Sequence, residues 1–253
     1  MARAKPTATL GGRVTTLVGG PRWRAYAPLA VLLALCVVIA IANPNFIEPR
    51  NLIRIANSAA VPLTLALGLT FIILLGSIDL SIEGAVSVAA MVLVLLAMND
   101  VNGNDYGWLA VLAAIVAATL MGLVNGVVQT FLRIPSFMAT LGMWFIGLGI
   151  AVYMLGGSAV RLTDGSIRAL ALTRVLDLPL AVWVAAAAFI LAVVIQSHTR
   201  LGRHIMAIGG GEDIAELSGI DPRRVRIAAF ALAGFFFGIA GVLQLATLRW
   251  AAW

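Results

Sequence analysis

Charge is what this chain has least of. Lysine, arginine, aspartate and glutamate make up 11% of its 253 residues, where a soluble domain carries about 25%. With 17 basic and 11 acidic side chains, a soluble fold of this length could not cover its surface. Cysteine is limited to Cys36, inside an apolar run, which excludes an intramolecular disulfide, a thiolate zinc site and an iron–sulfur cluster. The two histidines, His198 and His204, do not have the H-E-x-x-H spacing of a metal-binding helix. Lys5 is the single lysine, so the chain cannot supply the lysine of a phosphate-cradling loop. Any nucleotide hydrolysis therefore falls to a partner chain, and no metal, cofactor or catalytic residue is expected here.

What is present is apolar surface. Hydrophobic residues reach 62% and the mean hydropathy is +1.04. A membrane-crossing helix needs roughly 20 mostly apolar residues, and about seven runs qualify: 25–42, 59–75, 82–98, 108–132, 137–155, 178–195 and 226–245. The chain reads as an all-α polytopic integral membrane protein, a basic N-terminus at 1–24 followed by a transmembrane domain at 25–253. A basic leader ending in Ala40-Ile41-Ala42 also resembles a cleavable signal, but the leader and the apolar run both exceed that pattern, so the run is read as a span. The sequence pI of 10.7 does not point to nucleic acid. Its basic residues sit between apolar blocks and form no stripe with interleaved aromatics.

Those basic residues set an orientation, because cytoplasmic connections are enriched in Lys and Arg. With the N-terminus inside, the inner segments hold Arg3, Lys5, Arg13, Arg22, Arg24, Arg133, Arg200, Arg203, Arg223, Arg224 and Arg226, which is 11 of the 17. Arg50, Arg54, Arg161, Arg168, Arg174 and Arg249 fall outside. The bias predicts a membrane protein with a cytoplasmic N-terminus, a cytosolic segment at 196–225 and an external one at 156–177.

Three features stand out between and within the runs. Gly76 to Gly84 interrupts two spans with Asp79, Ser81 and Glu83, residues expensive at membrane depth. Asp79 or Ser81 is expected to cap the next helix, with Glu83 in its first turn; a cation site using Asp79 and Glu83 is the alternative. Gly122 and Gly126, and again Gly234 and Gly238, have the spacing that lets membrane helices approach closely. In 196–225, Gly209-Gly210-Gly211 reads as a breaker, followed by a helix of about two turns. Glu212 and Asp213 suit its N-terminus, Ile214, Ala215 and Leu217 give it an apolar side, and Gly219 suits its exit. A helix below about 12 residues is marginal alone in water and should dock on something.

The residues then resemble a family. Thr70 to Ser81, Asn125-Gly126 with Ile134-Pro135-Ser136-Phe137-Met138-Ala139-Thr140-Leu141-Gly142, and Thr199 to Ile220 are similar in order and spacing to the inner-membrane permease subunits of bacterial ATP-binding-cassette importers, in the ribose and monosaccharide branch. The resemblance implies that 196–225 is the cytosolic coupling loop, with Arg203, Asp213, Ala215, Glu216 and Gly219 meeting the ATPase. It implies a structural or gating motif at Gly76, Asp79, Ser81, Glu83, Asn125, Pro135, Thr140 and Gly142. Ser77 and Ser136 stand where the family has a glycine and a proline. Family members continue through further spans, so the chain is expected to lack the last ones and to leave Gly234, Gly238 and Gly241 without their neighbours.

The resulting expectation is the membrane subunit of an importer for a monosaccharide or similar small polar solute. It would pair with a second permease copy, two ATPase subunits that bind the ATP, and an external solute-binding protein. A secondary transporter or channel using Asp79 and Glu83, a membrane-embedded enzyme and a truncated, non-functional permease are the alternatives. Asn125, Gln129, Thr140 and Thr119 are the candidate pore-lining groups, too few to specify a sugar.

Overall fold

The computed structural model describes residues 21–100, 102–156 and 163–248; the basic stretch 1–20, Arg161 and Arg249 lie outside them. The chain divides into two units, residues 1–52 and 53–253. In the first, helix α1 (Pro21–Ala42) is followed by a 3-10 turn at Pro44–Ile47. Asn51 closes that turn by donating from its amide to the carbonyl of Phe46 at 2.9 Å.

Helix α2 (Pro49–Leu74) leads into the second unit, which continues with α3 (Ile82–Leu96), α4 (Trp108–Leu132), α5 (Ser136–Leu155) and α6 (Gly165–Leu172). A small hairpin, β1 (Arg174–Val175) with β2 (Leu178–Pro179), precedes α7 (Leu180–His198), α8 (Arg200–Gly210), α9 (Glu212–Leu217) and α10 (Pro222–Leu248). Among the described residues five helices are long and apolar enough to cross a membrane: α2, α4, α5, α7 and α10. Helix α3 is apolar but has only 15 residues. The expected run at 59–75 is too short at its start, since α2 begins at Pro49 and its first two turns carry Arg50, Asn51 and Arg54, which hydropathy alone discounts.

Helix α10 is the core. In its most apolar stretch 61% is buried, against 22–33% in the other four long helices, which keep apolar faces outward as lipid-facing helices do. Phe230, Phe236 and Phe237 are fully enclosed, and Phe236 stacks on Phe71 with centroids 6.0 Å apart. The glycine pairs set how closely α4 and α10 pack. A Cβ on Gly126 would lie 2.8 Å from the Cα of Ile227, and one on Gly238 would lie 2.8 Å from the Cα of Ile115. Cβ atoms on Gly122 and Gly234 would meet the backbone carbonyls of Phe230 and Ala118. Small side chains let the two backbones touch, the source of dispersion energy where lipid removes the hydrophobic drive. This corrects the expectation that Gly234, Gly238 and Gly241 lack neighbours. Gly234 and Gly238 face α4, and Gly241 faces Val86 and Ala89 of α3.

The segment 196–225 is also more ordered than the sequence suggests. Thr199 accepts the N–H of Gly202 through its hydroxyl at 3.2 Å, starting α8, which buries Gly202, Ile205 and Ile208 along one face. Gly209 and Gly210 do not break this helix. A side chain on Gly209 would collide with the carbonyl of Leu74, so the glycine brings α8 against the end of α2.

Candidate functional site

The polypeptide between α2 and α3 forms neither helix nor strand, and its ends are built from local chemistry. Gly76 takes φ +78°. The N–H of Gly76 donates to the carbonyl of Ile73 at 2.9 Å, and that of Ser77 to Ile72 at 3.0 Å. This pair of bonds is a Schellman ending, and it favours a residue without a Cβ at the left-handed position. Beyond it the N–H groups have no strand to pair with. Helix α5 supplies side-chain acceptors instead: Ile78 donates to Ser136 Oγ and Leu80 to Thr140 Oγ1, both at 3.0 Å.

Between these anchors lies a buried polar cluster. Asp79 Oδ1 accepts the Ser81 N–H at 2.8 Å and the Ser81 hydroxyl at 2.6 Å. Asn125 Nδ2, from the middle of α4, donates to Ser81 Oγ at 2.8 Å. Asp79, Ser81, Asn125 and Thr140 are all buried. Buried polar groups carry a penalty when unpaired, and two acceptors here, Asp79 Oδ2 and Asn125 Oδ1, have no partner. The capping expectation needs correcting. Ser81 occupies the position before α3, but its hydroxyl caps nothing, because it is engaged by Asp79 and Asn125. Glu83 sits in the first turn of α3 as expected.

The structure therefore brings together Gly76, Asp79, Ser81, Asn125 and Thr140. Pro135 starts α5 at ψ 139°, orienting the turn that carries Ser136. Gly142 and Glu83 stand apart, Gly142 with no heavy atom within 4 Å of where its Cβ would be and Glu83 exposed while Asp79 is buried. Thr119 only returns its hydroxyl to Ile115 of its own helix at 2.7 Å. Among the described residues no three His, Cys, Asp or Glu side chains could hold a metal ion. The Ser136 and Thr140 partnership was missed in the sequence reading, although two hydroxyls four residues apart at a helix start were its visible signal.

The second set of expected residues lies on α9 and its surroundings. Glu212 and Asp213 open the helix, and Gly219, at φ +82°, ends it. Its N–H donates to Glu216 at 2.9 Å and that of Ile220 to Ala215 at 3.1 Å, a second Schellman ending. Asp221 then caps α10 by accepting the N–H of Arg223 at 3.0 Å. Arg226 of α10 pairs with Glu212 at 2.9 Å, fixing the start of α9. Of its three apolar residues only Ala215 packs inward; Ile214 and Leu217 are 71% and 90% exposed. Arg203, Asp213 and Glu216 are exposed too.

With this geometry in view, the comparisons with known proteins fit one pattern. The family described as the permease component of the branched-chain amino acid transport system matches residues 51–253. The chain is 32% identical over 224 residues to the ribose import permease protein RbsC of Escherichia coli K12, covering 87% of this chain and 68% of that protein. It is 33% identical over 224 residues to RbsC of Bacillus subtilis 168, covering 88% and 68%. The L-arabinose transport system permease protein AraH of Escherichia coli K12 is 30% identical over 224 residues, covering 88% and 67%. No solved structure matches the chain. These relatives are transport permeases, not enzymes, and the long apolar helices make this a multi-pass membrane protein. The chain belongs to the permease-component family of the branched-chain amino acid transport system.

Proposed function

We propose that this chain is the membrane subunit of an ATP-driven importer for a monosaccharide of the ribose or arabinose kind. The substrate class rests on the relatives, which are ribose and L-arabinose permeases. The observation that carries the coupling role is α9, a six-residue helix held at both ends yet presenting Ile214 and Leu217 outward. So short a helix with exposed apolar residues suits a rigid knob for a partner's groove. The partner is an ATPase subunit that binds the nucleotide, so this chain carries no cofactor or metal of its own. A solute-binding protein would meet the opposite end, and a second permease copy would complete the pathway. The charge bias supports a cytoplasmic N-terminus and a cytoplasmic α9.

In this reading nucleotide-driven movement of the ATPase pushes α9. Through the Arg226–Glu212 pair and the α8 contact with the end of α2, the push reaches the non-helical link 75–81. That link joins two helices without being part of either, so it can act as the hinge of alternating access. Asp79, Ser81 and Asn125 then serve as positioning residues for the hinge. The test is uptake of labelled ribose and arabinose in cells lacking their own importers, with the ATPase and binding protein co-expressed. Leu217→Glu, on a side chain that packs on nothing, should lower ATPase co-purification and uptake together while membrane insertion stays normal. Normal coupling in that variant would refute the assignment of α9.

A further inference from the structure

Beside the hinge, at the end of the bundle that carries α9, lies a cavity of about 470 Å3 whose lining includes Ser77, Gln129, Thr130, Arg133, Ser136 and Arg226. Two of its buried polar groups are unsatisfied. Gln129 and Thr130 are only 5% and 7% exposed, yet Gln129 Nε2 and Thr130 Oγ1 have no hydrogen-bond partner. Among the described residues no carboxylate pairs with Arg133, while Arg226 gives one Nη2 to Glu212 and keeps its other donors. Ser136 Oγ already accepts from Ile78, which leaves its proton to donate. At the start of α5, Met138 and Ala139 donate to the carbonyl of Pro135, while the N–H groups of Ser136 and Phe137 precede any intrahelical acceptor and add the positive end of a 20-residue helix.

The cavity thus holds two guanidinium groups and a buried amide donor with no carboxylate in its lining, while its hydroxyls can donate or accept. A neutral sugar leaves the two guanidinium charges without a counter-charge there. A phosphate-class anion, all acceptors, suits two guanidinium groups, an amide, hydroxyls and a helix start. Its source is indicated by the residues flanking the mouth in sequence. Phe131 and Leu132 precede Arg133, Phe137 and Met138 follow Ser136, and all four are exposed. They give acyl chains an apolar surface beside the charged site, which a free ion would not need. We propose that this cavity binds the phosphodiester headgroup of an anionic membrane phospholipid, its chains lying along α4 and α5. The site shares Ser136 with the hinge and Arg226 with the anchor of α9, and would brace the hinge when filled.

The experiment titrates the purified full chain in detergent with phosphatidylglycerol, phosphatidylcholine or inorganic phosphate, and reads bound molecules by native mass spectrometry. Phosphatidylglycerol should bind at least about five-fold more tightly than phosphatidylcholine, the contribution of one basic residue near a headgroup. Arg133→Asn should remove most of that preference, and asparagine suits the left-handed φ of +54° there. Gln129→Leu should weaken phosphatidylglycerol by a similar factor without changing the charge. Arg223→Gln, an exposed arginine at the start of α10 outside the cavity lining, should leave binding unchanged. Equal binding of the two lipids, or an Arg223→Gln loss as large as that of Arg133→Asn, would overturn the site. Inorganic phosphate that displaces phosphatidylglycerol at equal concentration would overturn the lipid as its occupant.

Discussion

Replacing Gly238 by alanine adds one carbon where two backbones already touch. The new Cβ would lie 2.8 Å from the Cα of Ile115, 3.1 Å from its carbonyl oxygen and 3.2 Å from the Cβ of Ala118. Ordinary carbon–carbon contact is about 3.5–4.0 Å, so α4 and α10 must part by about 0.7–1.2 Å. Neither Ile115 backbone atom can rotate away, unlike the end of a side chain. A gap of about 0.5–1 Å forfeits a quarter to a half of each dispersion well along the seam, and overpacking of this kind costs about 1–3 kcal/mol. For a chain of this size that corresponds to a fall in Tm of about 2–4 °C per kcal/mol. Thermal unfolding in detergent, followed by size-exclusion fluorescence, should show Gly238→Ala several degrees below the wild type. Gly126→Ala, with its Cβ 2.8 Å from the Cα of Ile227, should fall comparably. Gly149→Ala, where no heavy atom lies within 4 Å, should stay within about 0.5 kcal/mol of wild type. If Gly238→Ala is as stable as Gly149→Ala, the seam does not depend on backbone contact and the packing argument fails.

Two further outcomes follow from the same reasoning. Asn125→Leu removes the donor to Ser81 Oγ inside a buried cluster and should cost about 1–3 kcal/mol, measured as a Tm loss exceeding that of Thr119→Val, whose hydroxyl bonds only its own helix. With Cys36 replaced by alanine, single cysteines at the exposed positions Ser218 and Thr173 should be labelled by an impermeant thiol reagent from opposite sides of the membrane. Labelling from one side would refute the orientation read from the basic residues.

How much of this was legible in the sequence depends on how local each cause is. Gly219 was readable as a helix exit because a left-handed residue after an apolar turn needs only its own neighbours, and its Schellman bonds span five residues. Glu83 was readable in a first turn for the same reason. The break expected at Gly209-Gly210-Gly211 falls at Gly211, which separates α8 from α9, and not at the first of the three glycines. Gly209 lies instead inside α8, at a contact with Leu74 that is distant in sequence. Ser81 was misread as a cap because Asn125, 44 residues away, claims its hydroxyl.

By itself, the sequence determined the class of solvent, the approximate places of the long helices and the small-residue faces on α4 and α10. Each follows from composition and from spacing within one helix, and the bilayer forces backbone bonds to be made inside each span. The tertiary structure decided which partner each face takes. It set Gly122 and Gly126 against α10 and placed Ser136 and Thr140 opposite the non-helical link. It also gathered Gln129, Arg133 and Arg226 around one cavity. Those choices depend on how closely backbones can approach and on where an unpaired N–H finds an acceptor. Both are properties of pairs of elements, invisible in any one stretch of chain.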